Sequence, residues 1–286
     1  MAAEPTDLSL VTCLLFTPGN RLERLEKAVA SGADGVIVDL EDAVARDGKE
    51  AARAATVAYF RTKGRVGTAP FVSAIRVNHI HTEAGLRDLL ALRESRITPD
   101  AIVLPKVESI EEIRLFERHL DGPQAAVRFV PLIETATGLE RAFEIARAGG
   151  RVGALALGGA DLAAELGAAL AWEPLLFARA RLVQAAAAAG IGVLDVPYLD
   201  LRDDSGLRAE CERVKALGFT GKLAIHPRHA PIVVATLRPD AASAERARRV
   251  VEIFEASAGD ACEIDGKMID LPVYRAAKRV LALVER

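Results

Sequence analysis

Ionisable residues recur at one kind of place in this sequence, directly at the end of a short apolar run. Asp39-Leu40-Glu41-Asp42 closes the run at 35–41, and Arg76 falls in Arg76-Val77-Asn78 at the end of 71–78. Lys106 follows Pro105, Glu134 ends 128–134, Asp161 follows Gly158-Gly159-Ala160, and His226 precedes Pro227. Glu134 and Asp161 stand at successive run ends. Two carboxylates completed by water are the usual protein share of a Mg²⁺ site, because Mg²⁺ is hard, octahedral and slow to give up its water. The same residues could instead pair with an arginine and cap the following helix. No histidine–cysteine cluster of the kind zinc prefers competes with the carboxylate pair.

The planar fork of Arg76 suits a substrate carboxylate or an enolate forming beside a metal. A salt bridge to Asp39 or Glu41 is the plainer use of it. Glu41 and Asp42 could order metal-bound water, or serve as acidic helix starts favoured by the dipole. Lys106 could meet a substrate carboxylate or neutralise an acidic mouth. Gly158 and Gly159, with Ala160, are small enough to let backbone N–H groups approach an anion, or to make a tight turn. His226 reads as a packed, hydrogen-bonded histidine, and His79 and His81 as loop residues able to touch substrate.

These residues need a frame that gathers them. Strand-length apolar runs occupy 13–18, 35–41, 71–78, 101–106, 128–134, 152–158, 191–197 and 222–227. Continuous apolarity fits strands buried on both faces, as in a parallel sheet. Between them, 21–31, 48–62, 84–94, 110–120 and 138–147 carry helical spacing, with Asn20, Thr82, Ser109 and Thr137 as candidate caps. Eight such repeats without a Gly-rich nucleotide loop predict a (β/α)8 TIM barrel, α/β in class, over a doubly wound open sheet. In that barrel the C-terminal strand ends share one mouth. The barrel spans 1–237. Residues 238–286 form a helical extension, with helices at 243–258 and 272–285 around a polar turn at 259–267, and a further helix at 229–237 precedes it.

Composition narrows the function. The 286 residues are 51% hydrophobic and 27% charged, the balance of a globular enzyme. A net charge of −3 gives no sign of nucleic-acid binding. Cys13, Cys211 and Cys262 are odd in number and widely spaced, so they suggest a reducing compartment. The start of the chain lacks a signal-peptide pattern, and charge interrupts every apolar segment before membrane-spanning length. A cytoplasmic protein is expected.

Taken in order, several stretches resemble the citrate lyase β-subunit-like branch of the HpcH/HpaI aldolase superfamily. They are Leu15-Phe16-Thr17-Pro18-Gly19-Asn20, Asp39-Leu40-Glu41-Asp42-Ala43-Val44, Ile75-Arg76-Val77-Asn78, Leu104-Pro105-Lys106-Val107-Glu108 and Pro131-Leu132-Ile133-Glu134-Thr135. Further on come Asp161-Leu162-Ala163, Leu166-Gly167, Gly218-Phe219, Gly221-Lys222, Ile225-His226-Pro227 and Asp265-Gly266-Lys267-Met268-Ile269-Asp270-Leu271-Pro272. The resemblance implies a Mg²⁺-dependent carbon–carbon lyase acting on a 2-oxo acid and an acyl thioester of CoA or of an acyl carrier protein. It implies Glu134 and Asp161 as metal ligands and Arg76 as the group that meets the substrate carboxylate and enolate. Gly159 and Ala160 fall beside the substrate, and Glu41 and Asp42 beside metal-bound water. Asp270 matches an acidic lid residue that reaches a neighbouring subunit's site, so a homotrimer or homohexamer is implied as well. A CoA phosphate site is expected near Arg21. The chain departs from the family at Arg228-His229, at Gly159-Ala160 and at Leu194-Asp195-Val196-Pro197-Tyr198, which leaves the substrate open. Rival readings are a malyl-CoA thioesterase or malate-synthesising activity, a class II pyruvate aldolase, and a non-catalytic carrier-binding subunit.

Overall fold

A computed structural model of the protein describes residues 6–257, 260–264 and 266–284. The first five residues, Asp265 of the tail motif and Glu285 of the last expected helix lie outside them. The chain forms two compact units divided after Val234.

The first unit is a closed barrel of eight parallel strands in sequence order. Its elements run β1 (Cys13–Pro18), α1 (Leu25–Val29), β2 (Gly35–Asp39), α2 (Lys49–Lys63), β3 (Val72–Arg76), α3 (Glu83–Ser95), β4 (Ala101–Leu104), α4 (Ile110–His119) and β5 (Arg128–Ile133). After β5 come α5 (Ala136–Glu140), α6 (Ala142–Ala146), β6 (Ala154–Leu157), α7 (Gly159–Glu165), α8 (Trp172–Ala189), β7 (Gly192–Asp195), α9 (Asp204–Leu217) and β8 (Gly221–Ala224). The ring closes where Cys13 of β1 lies opposite Lys222 of β8. The expected doubly apolar strands are present, and nearly every strand residue is buried.

Alternation along each strand sends every second side chain inward. Leu14, Ile37, Val72, Ala74, Val103, Leu132 and Leu194 are among the inward set that fills the interior, and Leu8 plugs it. Burying one such aliphatic side chain contributes about 1.5–3 kcal/mol. A handful therefore offsets the several kcal/mol that each desolvated ion at the top of the barrel costs. Two residues beyond Ile37, Ala74 and Leu132 the same parity reaches Asp39, Arg76 and Glu134. The inward face of the strands thus becomes the polar floor of the mouth.

Some helix starts differ from the sequence expectation. Thr82 caps α3, accepting from Gly85 N at 3.1 Å. Thr135, whose backbone is extended, caps α5 in place of Thr137, accepting from Gly138 N at 3.0 Å. Ser109 occupies the cap position of α4 but turns its hydroxyl to Glu112. Asn20 is not the residue that precedes the first helical turn; Arg21 is. The helix expected over 138–147 is broken at Arg141 into α5 and α6.

The division between units falls within α10 (His229–Leu237). In the second unit α11 (Ala241–Ala256) packs on α12 (Leu271–Val284) through Ala247, Val250, Phe254 and Ala277. Phe254 and Tyr274 stack at 4.8 Å. The expected polar turn is instead an antiparallel hairpin of β9 (Cys262–Ile264) and β10 (Lys267–Ile269). Its one buried side chain, Ile269, joins the helical core, which three-residue strands could not signal by periodicity. Among the described residues no helix is long and apolar enough to cross a membrane.

Candidate active site at the barrel mouth

Arg76 ends β3 with its side chain turned into the mouth. Asp39, at the end of the neighbouring β2, receives Nε at 2.7 Å and Nη2 at 2.6 Å in a bidentate pair. Glu41 Oε2 lies 2.9 Å from Nη1, and the guanidinium covers the Phe16 ring at 4.7 Å. Both salt bridges considered from the sequence are therefore present. They do not exhaust the guanidinium, which has five N–H donors. Burial alone would weaken its proton affinity, but Asp39, Glu41 and Glu134 overcome that and push its pKa up. Asp39 is itself fixed, its two oxygens accepting Glu41 N at 2.9 Å and Ala43 N at 3.1 Å.

Glu134 follows β5 and is 2% exposed. A Cβ at residue 158 would come within 2.3 Å of its side chain, so only glycine lets the β6 turn close over it. Burial, with Glu41 next and Asp161 beside it, pushes the Glu134 carboxyl up to about 8 against the pull of Lys106 and Arg76. Burial raises Glu41 as well, opposed by Arg76 and Lys106. Asp161 lies in the first turn of α7, where the helix dipole favours a carboxylate. Its side chain is 44% exposed. It stands inside the helix after Gly158, not at the cap position.

Lys106 joins these groups. Its backbone is left-handed, φ 52°, a conformation that costs a non-glycine residue about 1–3 kcal/mol. That turn aims its N–H at Glu134 Oε1, 2.9 Å away, and its ammonium at Glu41 Oε1, 2.9 Å. The same Nζ lies 3.7 Å from Glu134 and 3.6 Å from Asp161. Burial opposes the charge on Lys106, but Glu134, Glu41 and Asp161 outweigh it and raise its pKa. Lys106 thus lies among three carboxylates of the acidic mouth.

Four carboxylates (Asp39, Glu41, Glu134, Asp161) thus face two cations (Arg76, Lys106), an excess of two negative charges once all four are ionised. All donors are oxygens. A hard divalent cation fits both the charge and the donor set. Asp42, by contrast, is exposed on the rim.

Asp39, Arg76, Glu134 and Asp161 border a cavity of about 400 Å³. One wall is polar, with Arg76, Glu134 and Asp161. Phe16, Leu132 and Leu157 make the apolar side, and Gly159 and Ala160 open the edge. Arg21 stands exposed after β1, 4.0 Å from Glu23. Asp270 belongs to the second unit, where Oδ1 accepts Val273 N at 3.2 Å at the start of α12.

Several supporting residues were not singled out by the sequence. Lys49 donates to Leu40 O, Glu41 O and Asn78 Oδ1 at 3.1, 2.8 and 2.6 Å, fixing the loop that carries Glu41. Asn78 is anchored by Asp88, which also receives Arg53 at 2.6 Å. Below the mouth, fully buried Lys222 binds Asp195 and Glu210, both at 2.7 Å, and Arg179 binds Asp195 at 2.8 Å. His226 lies past the end of β8, half-buried, and accepts Arg228 N at 3.2 Å. His79 and His81 sit together on the β3–α3 loop, their rings 5.1 Å apart.

A filled parallel barrel with a cation-seeking acidic mouth is the frame of a barrel enzyme. Residues 12–227 match the sequence profile of the HpcH/HpaI aldolase/citrate lyase family. The chain belongs to that family and is a carbon–carbon lyase. It is 32% identical to the mitochondrial citramalyl-CoA lyase of Homo sapiens, over 94% of this chain and 84% of that one. It is 36% identical to the (3S)-malyl-CoA thioesterase of Cereibacter sphaeroides, over 95% and 94% respectively. The crystal structure of the CitE protein of Mycobacterium tuberculosis in complex with magnesium, acetoacetate and coenzyme A is similar at TM-score 0.79 and 32% identity. That match covers 98% of this chain and 100% of the other.

Proposed function

We propose that this protein is a Mg²⁺-dependent lyase that cleaves a 3-hydroxy-acyl thioester of the citryl-CoA or malyl-CoA type. The products are an acyl thioester and a 2-oxo acid, oxaloacetate or glyoxylate. The observation that carries the reading is the buried, Asp39-anchored Arg76 facing Glu134 and Asp161 across one cavity. Support comes from the named activity of the human relative and from the magnesium and coenzyme A named with the CitE structure.

Glu134 and Asp161 are the residues that would hold Mg²⁺, which when bound supplies Lewis acidity toward the carboxylate and neighbouring oxygen of the oxo-acid portion. Cleavage passes the hydroxyl proton to water in the mouth as the adjacent carbon–carbon bond breaks, the hydroxyl carbon becoming the carbonyl of the oxo acid and the bonding pair leaving as the enolate of the acyl thioester. Arg76 stabilises the developing charge with N–H groups already oriented by Asp39, so little reorganisation is needed in the step. Phe16, Leu132 and Leu157 keep water from the enolate. Glu41 and Lys106 hold the Glu134 side of the mouth in place, and Asp42 orders water at the rim. Asp270 returns the proton to carbon. It does so from a neighbouring subunit of a homotrimer or homohexamer, the 238–286 extension acting as a lid over that subunit's mouth. Exposed Met268 and Leu271 beside Asp270 support such docking. The thioester carrier is CoA, its phosphates near Arg21, or the equivalent arm of an acyl carrier protein. The enzyme works in the cytoplasm, where Cys13, Cys211 and Cys262 stay as free thiols.

A thioesterase is the second reading, favoured by the activity named for the 36%-identical relative. Product analysis separates the two. Citryl-, malyl- and citramalyl-CoA are incubated with the protein and Mg²⁺, and acyl-CoA, oxo acid and free CoA are quantified. A lyase yields acyl-CoA and oxo acid in equal amounts. Free CoA with an intact hydroxy acid, and no oxo acid at any time, sinks the lyase reading.

A further inference from the structure

On the rim of the barrel, three side chains from two βα units converge beside the acidic mouth, where His79 lines a cavity with Glu41, Asp42 and Lys106. His79 and His81 come from the β3–α3 loop and Glu112 from the first turn of α4. One donor atom from each lies within 4.8 Å of the others, and among the described residues this is the group of three or more such donors that could close on one ion. It shares no residue with Glu41, Glu134 and Asp161.

Two features set it apart from a chance cluster. Glu112 is 7% exposed. Its Oε1 accepts Glu108 N at 3.2 Å and Ser109 Oγ at 3.1 Å, which fixes the carboxylate, while the buried Oε2 has no hydrogen-bond partner. Nε2 of His79 is also buried without a partner. Leaving buried polar atoms unpaired costs free energy, and each of these two atoms offers a lone pair to a cation. The His79 backbone is itself pinned, because α3 approaches so closely that a Cβ on Gly85 would sit 2.1 Å from His79 O. His81 supplies the adjustable arm. Its side chain is 70% exposed, and its Nε2 already lies 3.8 Å from Glu112 Oε1. Donors around a tetrahedral zinc ion lie roughly 3.3 Å apart, given Zn–N bonds of about 2.0–2.1 Å, so the three ligand atoms, now within 4.8 Å of one another, draw in as the ion binds, with exposed His81 the freest to move.

We propose that His79, His81 and Glu112 form a second metal site, selective for a late first-row divalent cation and filled by zinc. Two imidazoles and one carboxylate suit zinc, cobalt, nickel or copper, whereas Mg²⁺ takes oxygen ligands. Three protein ligands leave a fourth position for water or an anion. Bound zinc ties the β3–α3 loop to α4, at the far end of the segment that carries Lys106. The inference does not rest on the lyase reading.

The test uses full-length protein stripped with EDTA, desalted, and titrated with Zn²⁺ against a chromophoric competitor in saturating Mg²⁺. The expected result is one zinc per chain, weakened at least roughly tenfold in His81→Ala, the lower end of what altered metal surroundings cost, and likewise in Glu112→Gln. Glu134→Gln keeps its zinc, and Co²⁺ gives the visible absorption of a tetrahedral site that His81→Ala loses. His81 is exposed, so its removal leaves the fold intact. Zinc affinity equal in wild type and His81→Ala overturns the proposal. So does zinc binding lost in Glu134→Gln but kept in His81→Ala, which would place the ion in the acidic mouth.

Discussion

The Arg76 guanidinium commits one edge to Asp39 and approaches Glu41 with a third nitrogen, which leaves N–H groups over. A lysine keeps the charge but cannot hold Asp39 in two bonds while presenting a donor to the cavity. Arg76→Lys should lower kcat/KM roughly 10²–10³-fold, the scale of losing one preorganised oxyanion donor. Steady-state kinetics check this, and a variant within a few-fold of wild type would remove Arg76 from the chemistry. Glu134 makes a separate prediction for metal-free protein. Its folded carboxyl is raised from 4.5 to about 8 by burial and by Glu41. Below the unfolded value both states hold the proton and its contribution is fully present. As pH rises toward 8 the unfolded chain ionises first and that contribution is lost, at about 1.4 kcal/mol per unit of difference. In EDTA, wild type should therefore lose thermal stability relative to Glu134→Gln between pH 5 and pH 8. Melting curves that stay parallel across that range would contradict the burial argument.

Between elements, the join of β7 and β8 depends on a buried ionic cluster. Asp195 is 0% exposed and faces Lys222 and Arg179 together. Asp195→Ala leaves two cations buried, and breaking such a pair costs about 3–5 kcal/mol. Lys222→Met leaves Asp195 with Arg179, while Glu210 turns to solvent. Urea denaturation should rank Asp195→Ala as clearly the less stable, and the reverse order would show that the charges are not coupled as the distances imply. This cluster was illegible in the sequence, because a lone lysine opening a strand gives no sign of its partners on another strand and two helices. The eight strands were legible because doubly buried strands are apolar without interruption. Their ends could be read for Glu134, Asp161 and Arg76 because an ionisable residue closing such a run either reaches the mouth or, like Asp195, needs a buried counter-charge. Whether Arg76 paired or bound substrate could not be read, since only geometry shows that Asp39 takes one edge and leaves donors over. The Thr135 cap was misplaced by two residues because two threonines competed, and the β9–β10 hairpin was too short to show a period.

For the whole molecule, the proposal that a neighbour's tail completes each site has a quantitative consequence. Arg76→Ala and Asp270→Asn should each abolish turnover alone, with Mg²⁺ binding retained in Asp270→Asn. Co-expressed, they should recover roughly a quarter of wild-type activity by random assortment around a cyclic ring, because some mouths then combine an intact Arg76 with an intact Asp270 from next door. No recovery in mixed oligomers would show that Asp270 does not act across subunits.

The central claim, a carboxylate-held divalent cation serving carbon–carbon cleavage of a thioester, is tested most directly by one measurement. Turnover of citryl-, malyl- and citramalyl-CoA is followed by trapping the oxo acid as its phenylhydrazone, in Mg²⁺ and in EDTA, with Glu134→Gln alongside. Release of oxo acid from at least one ester that stops in EDTA, returns with Mg²⁺ and is lost in Glu134→Gln is the predicted result. Release that continues unchanged in EDTA or in Glu134→Gln would contradict it.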